Sequence, residues 1–181
     1  PESLLINNDE ELCVLQGAYF YEGRDEEIFC SIRRKQRKQF KRNKKEYEKL
    51  SDHIGLLPLV MVSPADSELI QGGSEERRRF LDLISSQHDK AYLHALIQYN
   101  KALMQRNILL KNQETDYSLY EVLEMQLGMY GEKVYACRQT LIEELIPLFN
   151  SYYQTICCSA ETVGLSYVSQ IAGNDLPEML Q

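Results

Sequence analysis

Alternating apolar and polar positions in the first part of the chain predict antiparallel strands. Residues 27–34 alternate in the way expected of a strand with one buried face. The apolar side of this strand contains Ile28, Cys30 and Ile32. Residues 11–21 are rich in strand-forming side chains and end at a turn over 22–25, and residues 39–43 predict a returning strand after a loop near Gln36. These segments predict a meander of about three antiparallel strands.

Two short elements follow the meander. Apolar residues spaced by three and four positions in 47–54 predict a short helix. Residues 56–62 are almost continuously apolar, which is typical of a strand covered on both faces. This strand ends in a Ser-Pro-Ala-Asp turn, whose Asp66 is interpreted as the cap of a short helix over 67–70, with a metal or water ligand as the alternative.

The pair Gly72-Gly73 interrupts the chain before a predicted helix. Ser74 and the two glutamates after it favour a helix start with a hydroxyl cap and acids in the first turn. The inward face of this helix is predicted to contain Phe80, Leu81 and Ile84. Arg77 lies toward the same side. A buried unpaired charge is costly, so we expect Arg77 either to form a structural ion pair or to reach a phosphate where two lobes meet.

Two long amphipathic helices are predicted next, at about 89–112 and 116–158, with a polar link between them. The stripe of the first contains Leu93, Leu96, Ile97, Leu103 and Met104. The stripe of the second contains Leu119, Leu123, Leu127, Tyr130, Val134, Cys137, Leu141, Leu145, Leu148, Tyr152 and Ile156. Two such helices joined by a short link predict an antiparallel helical hairpin, and Pro147 predicts a kink near Glu143.

Polar residues within the first long helix have a predicted structural role. Helical geometry places Asn100 and Asn107 inside the apolar stripe, where their amides would need hydrogen-bond partners and would fix the register of packed helices. Arg106 falls on the flank of the stripe. We therefore interpret Asn100, Arg106 and Asn107 as structural residues.

The predicted fold class is α+β, with an antiparallel meander followed by a helical lobe built on the long hairpin. Residues 162–171 predict a strand, and 174–181 predict the start of a helix. The predicted division is a first lobe at 1–73, a helical lobe at 74–160, and a returning strand and helix at 161–181. The chain begins at Pro1 and not at methionine, so we expect a piece of a longer protein.

Composition limits the class of protein. The chain has 181 residues, 44% of them hydrophobic, and no apolar run approaches the roughly 20 residues needed to cross a bilayer. These features predict a soluble, cytoplasmic protein. The five cysteines lack Cys-x-x-Cys spacing and the three histidines are scattered, so neither a disulfide framework nor a metal site is expected.

Charge is strongly segregated along the chain. The formal net charge is -7, yet residues 33–45 hold nine of the 20 basic residues and no acidic one. The nine residues are Arg33, Arg34, Lys35, Arg37, Lys38, Lys41, Arg42, Lys44 and Lys45. Such a segment can attract nucleic-acid phosphates, and it can equally be a solvated hairpin whose charges prevent strand pairing with neighbours. We include these nine residues and Arg78 as candidate DNA-binding residues.

Between residues 58 and 111, the order of a strand, a proline-acid turn, an arginine-rich helix and a Gln-Arg-Asn helix resembles the RecF family of bacterial repair proteins. The residues at matching positions are Pro64, Asp66, Arg77, Arg78, Phe80, Leu81, Asp82, Tyr99, Gln105, Arg106, Asn107, Leu109, Leu110 and Lys111. Ala65 departs from the family, in which an acid often follows the proline. The resemblance implies that the meander is part of a P-loop ATPase head lobe, with Ser63, Asp66 and Arg77 at the periphery of its nucleotide site.

The nucleotide-binding signatures of that family are missing from this sequence. A P-loop requires a glycine followed by lysine, and none of the nine glycines is followed by lysine. The signature motif and an apolar strand that ends in Asp-Glu are also missing. The resemblance implies ATP and magnesium in the full-length protein, while for this chain alone we expect neither bound nucleotide nor ATPase activity, and no catalytic residue.

Two functions of different classes are consistent with these patterns. The resemblance implies part of an ATP-dependent protein of DNA replication and recombinational repair that helps load recombinase at single-strand gaps. It also implies that the partners are RecO, RecR and double-stranded DNA near gaps, and that the full-length protein forms an ATP-dependent homodimer. The alternative is a non-enzymatic helical interaction module with a basic hairpin that binds nucleic acid.

Overall fold

The computed structural model describes residues 2–158, 161 and 163–172. The chain forms two compact units, Pro1–Val60 and Met61–Gln181. The boundary lies between Val60 and Met61, whereas the sequence places the first boundary after Gly73. The α+β class is confirmed, because the described residues form a four-stranded antiparallel sheet in the first unit and four α-helices in the second.

The first unit is built on an antiparallel sheet in which each strand pairs with the next. Its strands are β1 (Leu12–Tyr21), β2 (Arg24–Arg33), β3 (Gln39–Arg42) and β4 (Lys45–Glu46). The meander is confirmed, with β4 as an additional strand. Two residues are too few to produce a recognisable alternation, which is why the sequence did not predict β4.

The core of the first unit lies on one face of β2. Ile6, Cys30 and Ile32 form a buried cluster, against which Cys13 and Phe40 pack. The alternation predicted for β2 is confirmed, since Ile28, Cys30 and Ile32 are all buried. The predicted helix over 47–54 is reduced to the 3-10 turn Leu50–Asp52.

The predicted buried strand over 56–62 does not form. These residues lie outside every helix and strand, and Val60, Met61 and Val62 are 89%, 78% and 86% exposed. A strand requires a neighbour for its backbone hydrogen bonds. Among the described residues, the sheet includes only β1 to β4, so no strand pairs with this segment.

The second unit consists of helices. After a 3-10 turn at Pro64–Ser67 come α1 (Glu68–Gln71), α2 (Ser74–His88), α3 (Lys90–Lys111) and α4 (Tyr117–Ile156). The long helices are capped by acids, because the carboxylate of Asp89 accepts from two backbone N–H groups of α3 and that of Asp116 accepts from one of α4. At α2 the capping position is Gly73 and not the predicted Ser74.

The predicted hairpin is confirmed as an antiparallel pair of α3 and α4. Tyr92 and Ala95 pack against Val134, whereas Ala102, later in α3, packs against Leu123 and Leu127, earlier in α4. Ala102 is fully buried, and Gly128 and Gly131 of α4 are also buried. The small side chain of Ala102, which packs against Leu123 and Leu127, lets the two backbones approach closely.

Two predictions concern the end of the described chain. Pro147 lies inside α4, which continues to Ile156, and the kink near Glu143 stays a prediction. Residues 163–169 form neither helix nor strand, so the predicted strand over 162–171 is wrong for the residues described. The helix predicted over 174–181 lies outside the described residues.

Candidate nucleic-acid interface

The basic segment of residues 33–45 is divided between two ends of the sheet. Arg33 ends β2, and the following turn carries Arg34, Lys35, Arg37 and Lys38. We refer to residues 33–38 as the basic loop. Lys44 and Lys45 lie at the opposite end of β3, whose four residues span about 13 Å. The nine charges therefore form two groups, five at 33–38 and four at 41–45, rather than the single arm that the sequence suggests.

Arg34 holds the basic loop against the start of the chain. Its guanidinium donates to the carbonyl oxygens of Glu10 and Asn7, both at 3.1 Å. Lys35 adopts a left-handed backbone conformation, with φ at 59°, which turns the chain sharply. The side chains of Arg33, Lys35 and Arg37 are exposed around this fixed turn.

A concavity lies beside the basic loop. It is lined by Arg37 and Lys38, by Phe40 and Tyr47, and by the acidic side chains Glu46 and Glu48. Its aromatic wall is packed, because the Phe40 and His53 rings lie 4.6 Å apart and the Tyr47 hydroxyl lies 3.1 Å from Nδ1 of His53. Burial raises the pKa of Tyr47. The carboxylates make this concavity mixed in charge, so the exposed cations on the loop itself are the better phosphate contacts.

Arg42 has a structural role in the sheet. Its guanidinium binds the carboxylate of Glu26 through two nitrogens, with Nε at 2.7 Å from Oε2, and Asn43 donates to the same carboxylate at 2.9 Å. The hydrogen bond from Arg42 holds the pKa of Glu26 below its ordinary value. Glu26 is only 5% exposed. The charge of Arg42 therefore balances a buried carboxylate, which makes Arg42 a poor candidate for DNA contact.

The remaining cations of the basic segment have nearby partners or acidic neighbours. The amine of Lys41 lies 5.7 Å from the centre of the Phe29 ring, close enough for a cation–π contact. Lys44 and Lys45 are exposed at the turn before Glu46, and the register places this turn at the end of the sheet where β2 carries Glu26 and Glu27. The basic loop is consequently the more concentrated positive surface.

The residues expected at the periphery of a nucleotide site belong to the second unit and make local contacts. The carboxylate of Asp66 accepts from the backbone N–H of Ser63 at 2.5 Å, so Asp66 stabilises the turn Pro64–Ser67. The helix predicted over 67–70 forms as α1, but its capping position is Ser67 and not Asp66. Arg77 is exposed and donates to the carbonyl oxygen of Leu69 at 3.2 Å, which contradicts its predicted direction toward the apolar face. Arg78 donates to the Ser74 hydroxyl.

These contacts do not form a phosphate cradle. A nucleotide site needs several backbone N–H groups and a lysine directed at one point, and Ser63, Asp66 and Arg77 supply neither. Within residues 2–158, 161 and 163–172, no group of three or more potential metal-ligating side chains was found. The same residues include no helix that is long and apolar enough to cross a membrane.

A buried polar cluster in the helical unit was missed from the sequence. Arg138 of α4 binds the carboxylate of Asp82 of α2 through two nitrogens at 2.8 and 2.9 Å, and the Tyr92 hydroxyl of α3 donates to the same carboxylate. Burial and the bond to Asp82 raise the pKa of Tyr92. Burial opposes the charged form of Arg138, but Asp82 and Tyr167 raise its pKa overall. This cluster joins three helices and the segment that contains Tyr167.

A second ion pair fixes the other end of the hairpin. Arg106 of α3 lies 3.0 Å from the carboxylate of Glu124 of α4, and both side chains are largely buried. Asn100 and Asn107 are exposed on the opposite side of α3, so their predicted place inside the packed stripe is wrong. Among the three predicted structural residues, Arg106 is the one that links the two helices.

The chain is similar in sequence to curated relatives along nearly its whole length. It is 72% identical over 176 residues to the DNA replication and repair protein RecF of Parabacteroides distasonis, which covers 97% of this chain and 48% of the relative. It is 53% identical to the RecF of Bacteroides thetaiotaomicron, covering 99% of this chain and 49% of the relative. The chain thus spans about half the length of the curated relatives it matches. No family model matches it.

The fold agrees with the sequence comparison. A solved structure described as the recombination mediator protein RecF-ATP in the RecFOR pathway matches 99% of this chain and 50% of its own length, with a TM-score of 0.83 and 27% identity. A second, described as RecF-ATPrS, matches 86% of this chain and 43% of its own length, with a TM-score of 0.79 and 29% identity. The resemblance to RecF is thereby confirmed, and in both sequence and fold this chain is similar to about half the length of these RecF proteins.

Proposed function

We propose that this chain is part of an ATP-binding, DNA-binding protein that acts in DNA replication and in recombinational repair of gapped DNA. The observation that carries the proposal is the 72% identity to a DNA replication and repair protein along 97% of the chain. In this proposal the full-length cytoplasmic protein uses ATP and magnesium, dimerises around ATP, and helps load recombinase at single-strand gaps. Its partners would be double-stranded DNA beside the gap, RecO and RecR.

The part of this function assigned to the first unit is DNA contact through the basic loop. Arg33, Lys35 and Arg37 are exposed on a turn that Arg34 anchors, and the chain as a whole carries a net charge of -7. A local positive surface on an acidic protein orients the approach of a polyanion. These contacts would be to phosphates and would therefore show little dependence on base sequence.

The part assigned to the second unit is structural support near a nucleotide site. Ser63, Asp66 and Arg77 precede or open the helices that lead into the hairpin. Because the sequence lacks the phosphate-cradling motif, we propose that this chain alone does not hydrolyse ATP. ATP turnover by the purified chain that depends on magnesium and is stimulated by DNA would contradict this part of the proposal.

The DNA contact can be tested by comparing two triple variants with equal changes in net charge. The first carries Arg33→Gln, Lys35→Gln and Arg37→Gln in the basic loop. The matched control carries Lys44→Gln, Lys45→Gln and Lys49→Gln, at exposed positions outside the loop. Arg42 is left unchanged, because its loss would leave the buried Glu26 carboxylate unpaired.

Binding to a gapped duplex is measured by fluorescence anisotropy over a range of salt concentrations. Each phosphate contact contributes about 0.9 to the slope of log K against log salt, so the loop variant should lose a slope of about 3. The control should retain most of the affinity and the slope. Equal losses in the two variants would indicate a general effect of net charge, and unchanged binding in the loop variant would exclude the basic loop as the DNA contact.

A further inference from the structure

The side of α3 that faces away from α4 carries an exposed apolar stripe. Ala102 is the α3 residue most deeply buried against α4, and at 100° per residue Met104 and Lys111 lie on the opposite side of the helix. Ile97, Met104 and Ile108 are 42%, 58% and 49% exposed on this side. We refer to the surface formed by Ile97, Asn100, Met104, Asn107, Ile108 and Lys111 as the outer face of α3.

A shallow, open concavity lies along the outer face. Five of the six residues line it together with Leu103, and the exception is Ile97. At 100° per residue, Ile97, Met104 and Ile108 form an apolar stripe, and the amides of Asn100 and Asn107 lie between this stripe and Leu103. Lys111 lies at the C-terminal end of the face. Methionine adapts its shape readily to different apolar partners. Such a surface accommodates apolar side chains from a partner and offers hydrogen bonds beside them.

The charge of α3 is entirely of one sign. Its 22 residues include Lys90, Lys101, Arg106 and Lys111 but no aspartate or glutamate. Arg106 is directed toward α4, where it pairs with Glu124. Lys101 and Lys111 are exposed beside the apolar stripe, so the outer face combines an apolar centre with positive flanks.

We propose that the outer face of α3 is a docking surface for an acidic amphipathic helix of a partner protein. The apolar side of such a helix would cover Ile97, Met104 and Ile108, while its acidic residues would lie against the lysines. The stripe from Ile97 to Lys111 extends about 21 Å along α3, which corresponds to about four turns of a partner helix. This interface does not depend on the proposed role in DNA repair.

The composition of the face favours a protein helix over the other candidate occupants. A nucleic-acid backbone would contact lysines but would leave the apolar centre without apolar partners. A second copy that used the same face would offer no acidic residue of α3 to complement the lysines, because α3 contains neither aspartate nor glutamate. An acidic helix satisfies both the apolar centre and the flanking charges.

The proposal can be tested with a designed peptide as the probe. The peptide is a helix of about 20 residues with leucines at spacings of three and four and glutamates on both flanks. One control peptide has the same composition with the leucines distributed around the helix, and another has lysines in place of the glutamates. Because the contact area is small, we expect a dissociation constant in the range of tens of micromolar by fluorescence anisotropy, about 10⁻⁵ M.

Two variants examine the apolar and the charged parts of the face separately. Met104→Gln should weaken binding of the acidic peptide about fivefold, and Lys111→Glu should weaken it by a similar factor that diminishes at high salt. The matched control is Met125→Gln, which changes an exposed methionine of α4 that is 64% exposed. Thermal melting of each variant should match the unchanged chain, because all three positions are exposed.

The expected pattern is binding of the acidic peptide that is reduced by Met104→Gln and Lys111→Glu but not by Met125→Gln. Equal binding of the peptide with dispersed leucines, or equal weakening by Met125→Gln, would overturn the proposal. Displacement of the peptide by a short DNA duplex would identify a nucleic-acid site instead. Self-association of the chain that disappears in Met104→Gln would identify a second copy as the occupant and would also overturn it.

Discussion

Single charged residues bind the helices of the second unit together, and Arg138 is the clearest case. It contacts Asp82, which lies 56 positions earlier in the sequence, so no local pattern could have paired them. A recognisable signal was the arginine directly after Cys137, beside the apolar stripe, since a charge next to a buried face needs a partner. The sequence predicted the stripe that contains Cys137 but could not predict which carboxylate would approach it.

The Glu26–Arg42 pair predicts a specific dependence of stability on pH. The pKa of Glu26 is lowered in the folded chain by the hydrogen bond from Arg42, whereas an unfolded glutamate has a pKa of about 4.3. The unfolded state therefore takes up the proton first as the pH falls. The stabilisation is complete above the unfolded pKa and is lost as the pH falls through the lower, folded pKa.

This dependence can be measured by comparing the chain with its Glu26→Gln variant. The variant should melt at a lower temperature at pH 7, and the difference should shrink as the pH is lowered below about 4. Glu48→Gln, at an exposed position of the same unit, should show no such difference. A difference between Glu26→Gln and the unchanged chain that stayed constant from pH 7 to pH 3 would contradict the assignment.

At the scale of elements, sequence patterns predicted the strands and helices better than their contact faces. The alternation of β2 was confirmed because one of its faces is buried in the core of this unit. The predicted stripe of α3 was correct for Leu93, Leu96 and Leu103, which lie in or against the core. It was wrong for Ile97 and Met104, which are exposed, while the small Ala95 and Ala102 are buried in their place. Small residues mark where helices approach most closely, and hydrophobicity alone does not identify them.

The closest part of the hairpin should not tolerate a larger side chain. Ala102 is fully buried against Leu123 and Leu127, so Ala102→Leu should destabilise the second unit by about 1–3 kcal/mol through overpacking. The matched control is Ala136→Leu, at an exposed position of α4. Chemical denaturation followed by circular dichroism at 222 nm measures both variants.

The control is expected to change stability by no more than about 0.5 kcal/mol, since exposed substitutions away from special features have small effects. If Ala102→Leu also changed stability by no more than about 0.5 kcal/mol, α3 and α4 would not be packed as closely at this position as the complete burial of Ala102 indicates. Destabilisation by both variants would point instead to a general effect of leucine in these helices.

At the scale of the whole molecule, the segment between the two units explains why one strand prediction was wrong. Residues 56–62 have the composition of a buried strand, yet Val60, Met61 and Val62 are strongly exposed and lie at the boundary between the units. Composition reports what a segment prefers to contact, but a strand forms only where another strand is present to pair with it. The sequence indicates that residues 56–62 prefer buried surroundings. It does not show that, among the described residues, no strand pairs with them.

The exposed segment should be the first site of cleavage by thermolysin, which cuts before large apolar residues. Proteases bind extended and exposed chain, and Val60, Met61 and Val62 are strongly exposed and lie outside helices and strands, so cleavage near Val60 should precede unfolding of either unit. Mass spectrometry should detect two products that meet within this segment. Phe20 is 77% exposed but pairs with Asp25 in the sheet, so it should be cut much later.

Replacing Val60, Met61 and Val62 with aspartate should slow the first cut, while Val122→Asp with Met125→Asp on α4 should leave it unchanged. Initial cuts inside β1 or the helical hairpin would show that those elements open more readily than the boundary segment.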